Sequence, residues 1–244
     1  MPSTTLLVLI FLVAMLYASV GHGGASGYLA VLALAGYEPA QMATSALLLN
    51  LLVAGTASLA FWRAGYGSWR LLWPFLATSV PCALLGGWLD VSSQVYHRLL
   101  AVVLCCAAAR LALSILPTAQ TSAEGGPRVS AALPTGAGIG LLSGIVGVGG
   151  GIFLSPLMIL CRWASAKQTA AAAACLIVAN SAAGLAGRLA AGRVEASGLW
   201  PLVGAAFLGG WLGSRMGVER LSHPALCRIL AGVLVVAAMQ GWGG

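Results

Sequence analysis

Two glycine-rich stretches decide the fold, Val146-Gly147-Val148-Gly149-Gly150-Gly151 and Val20-Gly21-His22-Gly23-Gly24. Each stretch follows an apolar run, 131–146 or 5–20, and precedes a second, shorter apolar piece. Contiguous glycines end a helix, because they adopt non-helical backbone conformations freely. If the apolar runs lie in a bilayer, the interruption leaves backbone N–H and C=O groups that lipid cannot bind. The two stretches therefore predict helix breaks that are buried in protein or face an aqueous cavity.

Composition places the chain in a membrane. Of its 244 residues, 60% are hydrophobic and 7% are charged, whereas a soluble domain carries roughly 25% charged residues. The charges fall between long apolar runs, as in the loops between membrane helices. The basic residues are single and scattered, which argues against nucleic acid despite a net charge of +7. The sequence pattern contains no paired acid and base, no phosphate-binding loop and no metal cluster, so we expect no enzyme activity, no cofactor and no metal.

One long polar stretch, 118–130, divides the chain and has the composition of a linker. The same pattern of apolar segments occurs on either side, so 1–117 and 131–244 are predicted to be two transmembrane repeats. Four local matches occur in the same order: 20–24 with 146–150, 73–74 with 200–201, 86–89 with 209–212, and 98–100 with 228–230. The predicted fold is an all-α polytopic membrane protein, in which each repeat has a glycine-broken helix hairpin and three transmembrane helices.

The loop charges predict the orientation of the repeats. If each broken segment is a hairpin, the repeats are inverted, and one side of the membrane receives Arg63, Arg70, Arg110, Arg128, Arg162, Lys167, Arg215, Arg220 and Arg228. The other side then receives Arg98, Arg188 and Arg193. If each broken segment crosses once, the repeats are parallel and the basic residues divide evenly. Because basic loops face the cytoplasm, the uneven count favours inverted repeats in the inner (cytoplasmic) membrane with both termini outside. Whether the short helices span the bilayer or re-enter is left open.

The glycine breaks carry the predicted binding chemistry. Where the second short helix begins, free N–H groups and the positive end of the helix dipole would lie near mid-membrane, ready for an anion. A second interpretation is that the glycines only allow helices to cross tightly, but packing glycines are usually four residues apart on one face. The predicted substrate-binding glycines are Gly21, Gly23, Gly24, Gly147, Gly149, Gly150 and Gly151.

Polar side chains in or near the breaks complete the predicted site. His22 could donate to an anion or act as a proton relay, because the pKa of histidine lies near neutrality. A histidine held by a backbone carbonyl is the alternative. Asn50 and Asn180 lie within apolar spans, where an amide contacts the ligand or hydrogen-bonds to another helix. Ser26 and Ser155 follow the breaks and could supply hydroxyl donors.

The remaining charged residues limit the substrate. No acidic residue lies in the middle of a predicted span, which argues against a carboxylate-bound cation or a glutamate-based proton pump. Arg110 and Arg188 lie several residues inside apolar segments. We expect their side chains to reach the membrane interface, with attraction of an anion as the alternative.

The run Gly147-Val148-Gly149-Gly150-Gly151-Ile152-Phe153-Leu154-Ser155-Pro156 resembles the sulfite exporter TauE/SafE family of permeases. The run 21–28 looks like the other copy of that signature, and the resemblance extends to residue 240. It implies secondary transport of sulfite or another small sulfur-containing or organic anion. The first copy has Ala25 in place of Gly151 and no counterpart of Pro156, so we expect two unequal half-sites.

The leading hypothesis from the sequence is a secondary transporter that moves a small anion by alternating access, with the repeats rocking about a central site. An anion channel would use the same helix ends but stay open to both sides. A non-transporting scaffold subunit would carry a large loop or tail for its partner, and the sequence pattern shows none. The identity of the anion, the direction of flux, a coupling proton or other ion, and the oligomeric state are left open.

Overall fold

The computed structural model describes residues 2–19, 22–113, 126–194 and 199–219. Within these ranges the chain forms nine helices and no strand: α1 Thr4–Ser19, α2 Ala25–Leu34, α3 Pro39–Arg63, α4 Trp69–Trp88, α5 Ser93–Leu113, α6 Val129–Val146, α7 Gly151–Leu160, α8 Ala166–Ala190 and α9 Trp200–Glu219. The predicted all-helical membrane architecture is confirmed. The last predicted span, 224–240, and most of the linker lie outside the described residues.

Four helices, α3, α4, α6 and α8, are long and apolar enough to cross a membrane. Two of them begin at recognisable signals. Pro39 starts α3, where its missing N–H is not needed, and Ser165 forms a capping box with Gln168 at the start of α8. By contrast, α2 and α7 have 10 residues each and are about 15 Å long, half of the hydrocarbon thickness. The two pieces beside each break are therefore unequal, since α6 is nearly a full span at 18 residues.

The helices of the two predicted repeats match in length and in packing partners. Helices α3 and α8 have 25 residues each, and α4 and α9 have 20. Helix α4 packs most extensively on α6, and α9 packs in the same way on α1; α4 also contacts α8, as α9 contacts α3. A two-fold relation between the repeats would produce this exchange of partners. The repeat boundaries and the inverted arrangement stay predictions, which these contacts support.

Close glycine contacts define the direction of α6 relative to α4. In order along α6, the glycines at 136, 140 and 144 lie against the backbone of Phe75, Ser79 and Ala83 in α4. Both sets of residue numbers rise together, so the two helices run parallel. Glycines four residues apart allow this close approach of backbones. The packing role of glycine is therefore present in this protein, in α6 before the break.

Helix α7 returns the chain to the face of the bundle from which α6 starts. Met158 in α7 belongs to one apolar cluster with Leu72 and Ala132, which lie near the starts of α4 and α6. Trp163, just after α7, packs against Phe75 with ring centroids 6.2 Å apart. Helix α6, the second break and α7 thus form a hairpin, and α8 then runs through the bundle again.

Candidate functional site

The second break is a left-handed turn between α6 and α7. Gly147, Gly149 and Gly150 have φ values of 88°, 77° and 88°, which residues with a side chain rarely adopt. Helix α7 begins at Gly151, and no side chain caps its N-terminus. The N–H groups of Gly151 and Ile152, the first two of α7, have no partner within the helix and are available to a ligand, whereas the Phe153 N–H donates to the Gly150 carbonyl at 3.1 Å.

The first break ends in a similar way. Gly24 has a φ of 88° and precedes α2, which begins at Ala25 without a side-chain cap. Gly21 lies outside the described residues, so its role stays a prediction. Each break presents an uncapped helix N-terminus.

The two breaks meet halfway along the longest helices. Gly23 of the first break and Gly149 of the second both lie against the side chains of Asn50 and Ile177. Asn50 is the twelfth residue of α3, and Ile177 is the twelfth residue of α8. The uncapped ends of α2 and α7 are therefore brought together near the middle of two 25-residue helices.

Asn50 is the polar side chain between the breaks. It is 0% exposed, and neither its Oδ1 nor its Nδ2 has a hydrogen-bond partner among the described residues. Its Oδ1 is directed at Gly23 and its Nδ2 at Gly149. A buried amide without partners costs about 1–3 kcal/mol. The amide of Asn50 is therefore available to a ligand or a water molecule between the breaks, and its contact with a ligand stays a prediction.

Asn180 has a different environment. It is also fully buried, but its Nδ2 donates to the Gly149 carbonyl at 3.3 Å and its Oδ1 accepts from the Ser79 hydroxyl at 2.7 Å. The amide joins α8, α4 and the second break. Of the two interpretations of Asn180, the structure shows the hydrogen bond between helices, and its contact with a ligand stays a prediction.

His22 links the first break to the second repeat. Its side chain is buried, and its Nε2 lies 2.8 Å from Oγ of Ser155 in α7. The Ser155 hydroxyl donates to the Gly151 carbonyl at 2.9 Å, so its single proton is already engaged in a hydrogen bond. We therefore assign the His22 Nε2 as the donor in this pair. The bond joins residues 133 positions apart, and the sequence pattern does not predict it.

Ser26 pairs within its own repeat. Its Oγ lies 2.8 Å from the hydroxyl of Tyr17 in α1, and both residues are buried. Tyr17 was not among the predicted site residues. Its position one turn before the first break is the signal that could have identified it, because a tyrosine there can reach the start of α2.

A small cavity lies at the first break. Residues 22–26 and Tyr17 line one side of it, and the apolar side chains of Val148, Ile152 and Ile177 line the other. Its volume is about 10 Å³, close to what one water molecule requires. A polyatomic anion does not fit into this space in the present conformation.

Arg188 is buried beside the second break. The expectation that it reaches the membrane interface is wrong: its side chain is buried (the residue is 6% exposed), and its Nη2 donates to the carbonyls of Ile145 at 2.7 Å and Gly144 at 3.5 Å. The hydroxyl of Tyr96 donates to the next carbonyl, Val146, at 3.2 Å. Two side chains thus satisfy the last carbonyls of α6, which lipid could not do. The side chain of Arg110 lies outside the described residues.

The described part of the chain contains no group of three or more histidine, cysteine or acidic side chains that could hold a metal ion. The polar groups at the breaks are an amide, an imidazole, hydroxyls and backbone N–H groups, and all of these can donate hydrogen bonds. Groups of this kind can bind an anion.

Comparison with known proteins agrees with this arrangement. Residues 6–241 match the family described as sulfite exporter TauE/SafE. The chain is 37% identical over 238 residues to a probable membrane transporter protein, y4hK, of Sinorhizobium fredii (strain NBRC 101917 / NGR234), and the match covers 96% of each chain. No solved structure matches. The resemblance seen in residues 147–156 is confirmed, and the protein is a multi-pass membrane transporter, not an enzyme, that belongs to the sulfite exporter TauE/SafE family.

Proposed function

We propose that this protein is a secondary transporter that carries a small anion across the inner membrane by alternating access. The anion binds at the N-termini of α2 and α7, between the two glycine breaks. The observation that carries the proposal is the unpaired, fully buried amide of Asn50, which points at both breaks where two uncapped helix ends meet. Sulfite or another small sulfur-containing or organic anion is the proposed substrate, in keeping with the family description.

The electrostatics of the breaks favour an anion over a cation. Two helix N-termini each carry about half a positive charge and several free N–H groups. The Nδ2 of Asn50 adds an amide donor directed at Gly149. Of the five acidic residues, Glu38 and Asp90 are exposed at helix ends, so neither supplies a carboxylate for a cation at the centre. His22 is proposed as a ligand donor and as the proton relay.

The small size of the cavity favours a transporter over a channel. A channel keeps a continuous path, whereas the space between the breaks holds about one water molecule. An anion can enter this site after the helices around it move apart. In the proposed cycle the two inverted repeats rock against each other and expose the site to one side at a time.

Loop contacts support the proposed orientation. The Nζ of Lys167 lies 3.0 Å from the hydroxyl of Tyr66, so the loops after α3 and α7 share one face of the bundle. Arg193 pairs with Asp90 at 3.0 Å, which joins the loops after α8 and α4 at the other face. The first face carries most of the basic residues. We propose that it faces the cytoplasm, with both termini outside.

Two measurements on the purified protein test this function. Melting temperatures are recorded with sodium salts of sulfite, sulfate, thiosulfate, methanesulfonate and acetate at constant ionic strength. An anion that binds the folded form raises the melting temperature in a concentration-dependent way. Uptake of that anion into proteoliposomes should then saturate and respond to an imposed ion gradient.

Each alternative function gives a different result. Flux that rises linearly with concentration and ignores the gradient indicates a channel. If a change of the cation raises the melting temperature and no anion does, the anion site is contradicted. Binding without flux under every gradient tested contradicts transport and favours a scaffold subunit.

A further inference from the structure

We propose that Arg188 supplies the fixed positive charge of the anion site and that the anion is held closer to α7 than to α2. This inference rests on the proposed function and assigns a binding role to a residue outside the glycine breaks. It makes the two half-sites electrostatically different, although their backbones are similar.

The first argument is the burial of an unneutralised charge. The guanidinium of Arg188 bonds to two backbone carbonyls, and its Nε has no hydrogen-bond partner among the described residues. No carboxylate in the described part of the chain pairs with it, and the described ion pair joins Asp90 to Arg193. A buried charge without a counter-ion is costly. A bound anion provides that counter-ion.

The second argument is the position of the charge. Gly144 and Ile145, which accept from Arg188, are in the last turn of α6. Val148, three residues after Ile145, lines the small cavity at the first break. The guanidinium therefore bonds to the backbone three and four residues before Val148, where the chain enters the second break.

The third argument concerns the dipole of α6. The C-terminal end of a helix carries about half a negative charge, and the end of α6 lies beside the second break, where it opposes the positive end of α7. Arg188 places a full positive charge on those carbonyls, which outweighs the negative end of α6. The second break then has a net positive field, as an anion site requires.

The first repeat has no matching charge in α3. Arg188 is the twenty-third residue of α8, and the twenty-third residue of α3 is Phe61. Phe61 is buried in an apolar cluster with Ala170 and Ala171. At this position only α8 carries a positive charge, which lies beside the second break and draws the anion toward α7.

The test compares three variants with the wild type. Dissociation constants are measured for methanesulfonate, a monovalent anion, and for sulfate, a divalent anion, at constant ionic strength. Arg188→Gln removes the charge but keeps hydrogen-bond donors. Arg188→Lys keeps the charge but removes the planar fork. Arg193→Gln is the matched control, because it removes one charge from an exposed ion pair at the same end of the bundle.

The expected result depends on the charge of the ligand. Arg188→Gln should weaken methanesulfonate binding on the order of tenfold, and the loss for sulfate should be roughly the square of that factor, because the Coulomb energy doubles with ligand charge. Arg188→Lys should stay within a few-fold of the wild type for both anions. Arg193→Gln should leave both constants unchanged.

Other outcomes overturn the inference. Equal losses for the two anions in Arg188→Gln indicate a role in holding α6, and wild-type affinities in that variant remove Arg188 from the site. If Arg188→Gln does not fold, the Arg188→Lys variant provides the test. Because this variant keeps the charge, a loss of affinity of tenfold or more in it excludes a role of charge alone. If the wild-type protein binds no anion, the proposed function itself is overturned. This result is distinguishable from a failure of the Arg188 inference alone, in which the wild-type protein still binds.

Discussion

The two glycine breaks have similar backbones but different surroundings. Side chains from α5 and α8 donate to three carbonyls at or just before the second break: Tyr96 to Val146, Arg188 to Ile145, and Asn180 to Gly149. The described contacts of the first break are made by titratable and hydroxyl groups, Tyr17 with Ser26 and His22 with Ser155. The second break is thus held in place by its neighbours, while the first carries groups that can exchange protons and hydrogen bonds.

Under the proposed function, this difference gives the two breaks different roles. The backbone feature proposed to bind the anion, an uncapped N-terminus after left-handed glycine, is present at both breaks. The side chains that surround it have diverged. We infer that the second break fixes the anion and that the first responds to it. The following variants test this inference, from the largest expected effect to the smallest.

Gly144→Ala should have the largest effect, because it disrupts the close packing of α6 on α4 that holds the second break in place. A methyl group at this position would overlap the Ala83 carbonyl and lie 2.6 Å from the amide nitrogen of Gly87. Helices α4 and α6 would have to separate. We expect the free energy of unfolding to fall by about 3 kcal/mol, seen as a lower melting temperature in detergent.

Gly138→Ala is the matched control in the same helix. A methyl group there would meet nothing within 4 Å, so the substitution should be neutral or stabilise the helix by about 0.5–1 kcal/mol. Equal melting temperatures for the Gly138 and Gly144 variants would show that close approach to α4 does not hold the second break.

Asn50→Leu and Asn180→Leu should change stability in opposite directions. Asn50→Leu removes an amide with two unpaired atoms, so the ligand-free protein should become more stable, by up to about 1–3 kcal/mol, while anion binding is lost. Asn180→Leu leaves Gly149 and Ser79 without their partners and should destabilise the protein by a similar amount. Melting curves with and without the stabilising anion measure both effects.

The proposed site is contradicted if Asn50→Leu lowers the stability of the ligand-free protein and leaves anion binding intact. Asn50 would then be a structural residue whose partner lies outside the described ranges.

His22→Gln should alter the pH dependence of transport. Glutamine can still donate to Ser155 but does not titrate, so the dependence of flux on pH between about 5 and 8 should flatten. His22→Ala, which also removes the hydrogen bond, should lower flux further. Proteoliposome flux measured across this pH range provides the readout. Wild-type flux at every pH in both variants would remove His22 from the mechanism.

The smallest effects are expected for the two serines, and they distinguish a bond between repeats from one within a repeat. Ser155→Ala removes the partner of His22 and should shift the pH profile of flux. Ser26→Ala removes the bond to Tyr17 and should reduce stability by about 1 kcal/mol with an unchanged profile. The same pH shift in both variants would argue against a special role of the bond between repeats.

The sequence predicts the helices and the breaks because both depend on local properties. Contiguous glycines after a long apolar run give the left-handed turns at Gly147 and Gly150, and they appear at the predicted positions. The two unequal half-sites stay a prediction, which the different surroundings of the two breaks support.

The contacts between distant residues could not be predicted in the same way. The bond between His22 and Ser155 depends on how one repeat packs on the other. The inward direction of Arg188 depends on the unpaired carbonyls of α6, while its place near the end of an apolar segment is equally typical of a residue at the membrane surface. A single sequence contains no information on these choices.

The pairing of Asn50 with Ile177 at matching positions of α3 and α8 has a consequence for stereochemistry. A molecule on a two-fold axis between identical repeats would have two equivalent poses, related by a half turn. With an amide on one side of the axis and a branched alkyl group on the other, the poses differ in energy and one is selected. Under the proposed function, such a site can distinguish the two ends of an asymmetric anion without a large binding pocket.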